Sequence, residues 1–458
     1  MKVDEQVLDE IKEGYAHAVV VFLDADGYPV SVSTSYEVDV RRGAVVLGVP
    51  AGHEVAPPTG REVNVIFSHI RPQEHVGYDE RRYVSLWGTL EKDGQRLLLR
   101  PDRAQSWDEQ KTPFFQYSEQ TVPQARRYLD QLSGRVGRKV KPRLSLGWTI
   151  LRTTRLPFLS ATIIPVLLGV AVAALAGQWS IALAGLTLLG ASLIHLGLNV
   201  ANDVFDTMSG ADAANTTPTQ FSGGSRMAHY GLVSLRGLAM LSAGLYLAGI
   251  GIGFWLAAER GFWTLFTIGA IGVAISVFYT APPLRLVYRG IGEVTVALGF
   301  GPIVLLGASY VQSQHLSLEA GILSIPVAIF IALVLYVNEI PDRAGDAAAG
   351  KRTLPVRLSK AAVIAGYAWA AMLAYLTILV GAVTGVLPRP TIIALATIPL
   401  AIKVLRGLRT SYESPYALMP TMADNIKLHG LTGTLLFAGY LIAIAADRLM
   451  DSVPVFLR

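Results

Sequence analysis

Cysteine is absent from all 458 residues, which excludes disulfides, thiolate catalysis and sulfur-ligated metals in this chain. Charge is scarce as well: only 16% of residues are Asp, Glu, Lys or Arg, against 52% hydrophobic and a mean hydropathy of +0.43. That balance is too apolar for an ordinary soluble protein of this length, so membrane spans are expected. The opening MKVDEQVLDEIKEGY has no apolar core and is therefore not a secretory signal peptide; the N-terminus is expected to stay cytoplasmic. The shortage of charge is uneven. Residues 1 to about 145 have soluble composition, whereas nearly everything after Pro157 is apolar, so two regions with different solvents follow.

In the first region, residues 4–13 read as a short amphipathic helix, followed by alternating or β-branched runs at 16–23, 30–36, 44–49, 63–67 and 83–90. DADG at 24–27 and EKDG at 91–94 sit between such runs at hairpin spacing. A small β-barrel or sandwich over 1–132 is predicted, closed by a helix at 121–132. The stretch 133–147 then carries Arg135, Arg138, Lys139, Lys141 and Arg143, a basic linker expected to rest on anionic membrane lipid.

From Pro157 onward nine apolar runs are predicted as spans: 157–176, 180–200, 233–257, 262–279, 291–311, 317–338, 361–385, 390–405 and 430–447, the eighth being short. Loops after even-numbered spans are long and basic, while the opposite loops carry only Arg260 and Arg389, which puts the long loops in the cytoplasm.

Two polar clusters interrupt this pattern. Asn199, Asn202, Asp203 and Asp206 close the second run, and at helical spacing they share one face. Like charges so placed weaken a helix by a few tenths of a kcal/mol. Carboxylates near lipid cost roughly 2.5 to 3.5 kcal/mol each, so a cation is the natural compensation. Asn338, Asp342 and Asp346 close the sixth run at successive i,i+4 steps, with Lys351 and Arg352 directly after. Four crossings separate the clusters, so they face the same side, and their likeness hints at an internal repeat. Two acidic faces beside fixed cations suit a polyphosphate held through hard divalent ions, magnesium by default.

The order NDVFD, FSGGSRMAHYG, YTAPPLRLVYRGIGE and NEIPDRAGDAAAGKRTLPVRLS on nine spans resembles the UbiA superfamily of intramembrane aromatic prenyltransferases over residues 148–450. YTAPPLRLVYRG, FGPIVLLGASYVQ and GKRTLPVRL look most like the branch that includes 1,4-dihydroxy-2-naphthoate polyprenyltransferases of menaquinone biosynthesis. Tyr279 is followed by Pro283 where benzoate-type members usually have Lys, which argues against a 4-hydroxybenzoate acceptor. The resemblance implies that Asn202, Asp203, Asp206, Asp212, Asp342 and Asp346 hold magnesium. It further implies that Asn199, Asn202, Arg226, Asn338, Lys351 and Arg352 take the diphosphate and that Tyr279 lies by the reacting allylic carbon. Metal and cations would stabilise the departing diphosphate while a ring carbon of the acceptor attacks the allylic cation, and no protein nucleophile is required. His195, one turn before the first cluster, reads as a hydrogen-bonded structural histidine; Glu293 reads equally as an acceptor-orienting group or as facing interfacial water; Gly223 and Gly224 read equally as a turn or an anion nest.

AVVVFLDADGYPVSVST, VNVIFSH and RRYVSLWGTLEKDG before a helical tail resemble the pyridoxamine 5'-phosphate oxidase-like split barrel over residues 10–132. Many members of that fold bind FMN between two subunits. The resemblance therefore implies FMN at Ser68, His69, Arg71, Arg81 and Arg82 and a homodimer through the barrel, with surface charges on a barrel without flavin as the equal alternative. The expected whole is a small β-barrel (split barrel, FMN-binding-like) followed by an all-α membrane domain of nine transmembrane helices. It would join a polyprenyl diphosphate to an aromatic or quinone-precursor acceptor in the cell membrane, with no nucleic-acid partner. Rival readings are a relative acting on a haem, chlorophyll or archaeal ether-lipid precursor, a membrane transporter, and a membrane-anchored ligand-binding protein.

Overall fold

The computed structural model describes residues 5–24, 29–48, 57–72, 78–140 and 145–452, and the chain parts into two units, Met1–Gln120 and Thr121–Arg458. The first unit opens with α1 (Glu5–Gly14). Seven strands follow: β1 (Ala18–Leu23), β2 (Pro29–Thr34), β3 (Tyr36–Asp39), β4 (Ala44–Leu47), β5 (Glu62–Pro72), β6 (Tyr78–Asp93) and β7 (Arg96–Asp108). They form one antiparallel sheet in the order β2-β1-β5-β6-β7-β4-β3. Alternation does the sorting: Ala18, Val20 and Phe22 of β1 and Val63, Val65 and Phe67 of β5 point inward, and α1 lays Leu8 and Ile11 on the same core. The EKDG hairpin forms with Asp93 opposite Arg96 and Gly94 at φ +63°. Leu23 pairs with Pro29 across the other predicted hairpin, whose turn residues 25–28 lie outside the described residues. At Gly88 the β6–β7 register slips, and a Cβ there would collide with the Arg100 carbonyl, so the bulge requires glycine.

The closing helix α2 (Phe114–Val136) starts earlier than the sequence pattern suggests, because PFFQY supplies an aromatic anchor: the Trp107 ring packs on Phe114 and Tyr117, and its indole N–H donates to the Thr112 carbonyl at 2.8 Å. It also runs into the predicted linker, of which residues 141–144 lie outside the described residues.

The second unit is all helical beyond α2: α3 (Leu146–Thr154), α4 (Ser160–Leu175), α5 (Ile181–Ser209), α6 (Ala211–Ala214), α7 (Leu235–Arg260), α8 (Phe262–Phe278), α9 (Gly292–Leu298), α10 (Val304–Ser313), α11 (Leu318–Ala348), α12 (Leu354–Arg357), α13 (Lys360–Thr384), α14 (Ile398–Ser411) and α15 (Met419–Ser452). A π turn at Gly299–Ile303 joins α9 to α10, and a 3-10 segment at Arg389–Thr397 leads into α14. Among the described residues eight helical stretches are long and apolar enough to cross a membrane, and Phe262–Phe278 is apolar but shorter. The short member is therefore the fourth predicted span and not the eighth, which runs past its apolar window, through Arg406 and Arg409, to span Arg389–Ser411. Serines 180, 234, 317 and 359 cap α5, α7, α11 and α13 by accepting a bond from a first-turn amide. Helices approach closely where side chains are missing: Gly169 of α4 faces the Leu305 carbonyl of α10, and Gly301 faces Ala328 of α11.

Candidate active site

The last turns of α5 and α11 stand side by side, linked by a cation. Lys351 Nζ lies 2.6 Å from Asp206 Oδ1 and 3.8 Å from Asp346 Oδ1, and the lysine is buried. Burial works against its charge, and the two carboxylates more than offset this, so its pKa is raised. Asn202 Nδ2 donates to Asp206 Oδ2 at 3.2 Å across one helical turn. The i,i+4 spacing thus does locally what the sequence pattern says, and the tertiary fold brings the two faces together.

The loop between α6 and α7 supplies the rest. Asn215 Nδ2 donates to Asp342 Oδ1 at 2.8 Å, and the Gly223 amide donates to Oδ2 at 2.8 Å. Asp203 accepts from the Ser225 amide at 3.0 Å, from the Ser225 hydroxyl, and from Arg155 Nη2 at 3.1 Å. Gly223 and Gly224 have φ of +77° and +75°, and a Cβ on Gly224 would sit 3.0 Å from both Asp203 Oδ1 and Arg155 Nη2. Glycine is required there for conformation and for space. Asp212, on α6, accepts from the Thr207 hydroxyl at 2.8 Å. Burial, and next the charge of Asp206, push its pKa up to about 7.

These groups enclose a cavity of about 200 Å³, lined on its polar side by Arg155, Asn199, Asn202, Asp206, Asp212, Asn215, Asn338, Glu339, Asp342, Asp346 and Lys351. Of the residues expected from sequence, Asp203, Arg226 and Arg352 do not line it among the described residues. Asp203 is clasped behind the wall; Arg226 is buried, donates to the Asn215 carbonyl at 3.0 Å and lies over the Tyr230 ring; Arg352 is exposed. Asn199 borders the cavity, and its amide ties α5 to the Thr154 carbonyl at 3.0 Å. Glu293 is buried and accepts from the Leu354 amide at 3.3 Å, holding the chain that follows Lys351. Arg155 and Asn215 escape sequence reading because neither belongs to a spaced pattern; Arg155 stands just ahead of the first span, and only the fold carries it to Asp203.

A second cavity, of about 580 Å³, meets the first at His195, Leu198, Tyr279, Val296 and Phe300 and runs between α5, α7, α8 and α10. Several of its few polar lining groups bond within the protein. His195 Nδ1 pairs with the Thr162 hydroxyl at 2.8 Å, Ser276 with Tyr246 at 2.6 Å, and Thr187 and Thr295 with helix carbonyls at 2.7 Å. Such a largely apolar space suits a hydrocarbon. Tyr279, at the end of α8, stands at the junction.

In the first unit, Ser68 and His69 of β5 pair with Tyr83 and Arg82 of β6. The basic candidates there already have protein partners: Arg81 binds Glu109, Arg82 donates to the Gly14 carbonyl at 3.2 Å, and Arg71 and His69 lie 3.1 and 3.5 Å from Glu80.

The UbiA prenyltransferase family model matches residues 162–423. The chain is 28% identical over 291 residues to the 2-carboxy-1,4-naphthoquinone phytyltransferase of Synechocystis sp., covering 62% of this chain and 90% of that one. It is 24% identical over 317 residues to the 1,4-dihydroxy-2-naphthoate octaprenyltransferase of Bacillus subtilis, covering 69% and 99%. Among solved structures, a UbiA homolog from Archaeoglobus fulgidus bound to GPP and Mg2+ aligns with a TM-score of 0.45 at 14% identity, over 65% of this chain and 99% of that one. With more than half of its length matched, this chain belongs to the UbiA prenyltransferase family.

Proposed function

We propose that the protein transfers a polyprenyl group from an allylic diphosphate to 1,4-dihydroxy-2-naphthoate, the step that makes a menaquinone-type quinone precursor lipophilic. The observation that carries this reading is the junction of two cavities, one walled by carboxylates, amides and buried cations and the other mostly by hydrocarbon. The named naphthoate and naphthoquinone prenyltransferases among its relatives supply the acceptor class.

The carboxylates and side-chain amides that line the polar cavity offer oxygen ligands, which suit Mg2+. Asn338 Oδ1 is buried with no hydrogen-bond partner, and Asp212 has only a hydroxyl for company, so ligating atoms are to hand. Among the described residues no three carboxylates or histidines converge at metal-ligand spacing, and Lys351 holds Asp206 instead. Lys351 would therefore have to release Asp206 for that carboxylate to hold a metal. Asn202, Asp206, Asp212, Asp342 and Asp346 would hold the metal, with Asp203 supporting from behind; when bound, Mg2+ supplies charge neutralisation for the departing diphosphate. Lys351 and Arg155 take remaining phosphate oxygens, and Asn199 and Asn338 offer amides. Arg226 acts through the Asn215 loop, and Arg352 meets the diphosphate only from the rim. The tail lies in the large cavity, and Tyr279 at the junction faces the allylic carbon, where its ring shields the developing cation from water.

Nine crossings, counting Phe262–Phe278, with the N-terminal unit and the basic loops in the cytoplasm, complete the reading. The N-terminal sheet fits the split-barrel reading, and its FMN phosphate would have to displace the carboxylates on Arg71 and Arg81. Full-length protein carrying flavin absorbance supports that role; colourless protein whose melting temperature FMN does not raise makes the unit a docking or dimerisation module. The test of the main reading is product mass. Purified protein, geranylgeranyl diphosphate, Mg2+ and a panel of hydroxyarenes should yield a prenylated naphthoate-derived product, abolished by EDTA and restored by Mg2+. Undiminished turnover in EDTA refutes it.

A further inference from the structure

The polar cavity has one arm that neither the diphosphate nor the prenyl tail accounts for. Phe158, Phe221, Ile331, Leu335 and Ile426 wall it, and His429 of α15 is the polar group among them; none of the six borders the large apolar cavity. A largely apolar stretch of wall that carries an imidazole, continuous with the polar cavity, suits an aromatic acceptor.

His429 is 4% exposed, and its Nε2 has no hydrogen-bond partner. The Ser160 backbone lies beside the ring. The Ser160 amide is already donated to the Phe158 carbonyl, so Ser160 offers the ring its carbonyl, and a carbonyl only accepts. A proton on Nδ1 would serve that carbonyl and leave the lone pair on Nε2, which is buried in the wall of the arm. A buried lone pair without a donor is costly, and an acceptor hydroxyl is the donor that would satisfy it.

We propose that this arm seats the hydroxyarene and that His429 Nε2 is its proton acceptor, an inference that rests on the prenyl-transfer reading. Nε2 takes the proton of the hydroxyl ortho to the carboxylate-bearing carbon, and the oxygen pair moves into the ring. That carbon bonds to the allylic carbon as its C–O bond breaks, the electron pair leaving with the diphosphate. The carbon then sheds its carboxylate as CO2, the pair of that bond restores the aromatic phenoxide, and the imidazolium returns the proton. No redox partner is consumed.

The test compares wild type with His429→Gln in the full-length protein. Glutamine keeps an amide in place and removes the base. Turnover should fall about 10²–10⁴-fold, while affinity for a non-ionising phosphonate analogue of the prenyl diphosphate stays at the wild-type value. The deficit should shrink when a halogen on the acceptor's distal ring acidifies its hydroxyl, since less base is then needed, a trend that a purely structural loss would not show. Ile426→Trp fills the arm without touching the base and should raise acceptor KM while leaving analogue affinity alone. Wild-type turnover in His429→Gln, a deficit independent of hydroxyl acidity, or an unchanged acceptor KM in Ile426→Trp each overturns the proposal. Wild-type protein that prenylates a different hydroxyarene of the panel would overturn the naphthoate reading and leave the His429 comparison to be made on that arene.

Discussion

Replacing Lys351 by methionine isolates the cation that joins the two acidic helix ends. Methionine keeps the length and apolar stem and removes only the charge. At 2.6 Å from Asp206, the Coulomb attraction is on the order of 6 kcal/mol at an effective dielectric of about 20, and Asp346 at 3.8 Å adds a smaller share. Most of that sum offsets the cost of burying the lysine, so the net penalty for breaking the pair is about 3–5 kcal/mol. Three consequences differ in sign. Without metal, Lys351→Met should melt well below wild type. Mg2+ alone should bind it more tightly, because the competing ammonium is gone and both carboxylates are free. Prenyl diphosphate should bind more weakly and turn over about 10²–10³-fold more slowly, the loss typical of one transition-state charge partner. Thermal melts with and without Mg2+, calorimetric Mg2+ titration and product assays read the three separately. Lower Mg2+ affinity in Lys351→Met would refute the idea that lysine and metal compete for Asp206.

Asp342→Asn should reduce turnover by orders of magnitude, and it should also loosen the Asn215–Gly223 loop, visible as faster hydrogen exchange at the Gly223 amide. Asp212 sets a pH dependence. Its folded pKa is raised to about 7 from an ordinary value near 4, so the metal-free protein holds a proton there that Mg2+ must displace. Mg2+ affinity measured by titration should therefore fall as pH drops below about 7, and in the absence of metal this group favours the folded state less as pH rises from about 4 to 7; Mg2+ affinity that is flat between pH 6 and 8 counts against its role. Gly345→Ala would place a Cβ 2.8 Å from Asn215 Cα, so it should cost about 1–3 kcal/mol and raise the KM for prenyl diphosphate, whereas the same change at the open Gly350 acts only through its φ of +78° and should spare KM.

The parts of this site that repeat along a helix were legible in the sequence. Asn202 and Asp206, and Asn338, Asp342 and Asp346, recur at spacings that no packing requirement explains, so their shared faces could be read before any fold was known. The parts that come from loops were not. Arg155 reaches Asp203 only because α3 ends in a left-handed turn at that residue, and Asn215 reaches Asp342 only because Gly345 lets the loop touch α11. His429 lay hidden for another reason: Thr421, Asn425 and His429 do recur at i,i+4, but the series holds no carboxylate or fixed cation to mark it as a site, and the cavity it lines is built from residues far away in sequence. In the eighth span, hydropathy found the start to within a residue and stopped short at the other end, since Arg406 and Arg409 of α14 lie outside what an apolar window counts.

The meeting of the two cavities at Tyr279 and Phe300 has a consequence for traffic. A prenyl donor is a two-solvent molecule, and under the proposed function cleavage at the junction would sort the pieces at once: the anion would be left in the polar chamber, and the hydrocarbon, parted from its diphosphate, would stay in the greasy one. Each piece then departs down its own solubility gradient. The junction thus acts as a valve between an aqueous ledger and a lipid one, and reversal would require both pieces to return from separate phases to the same few ångströms.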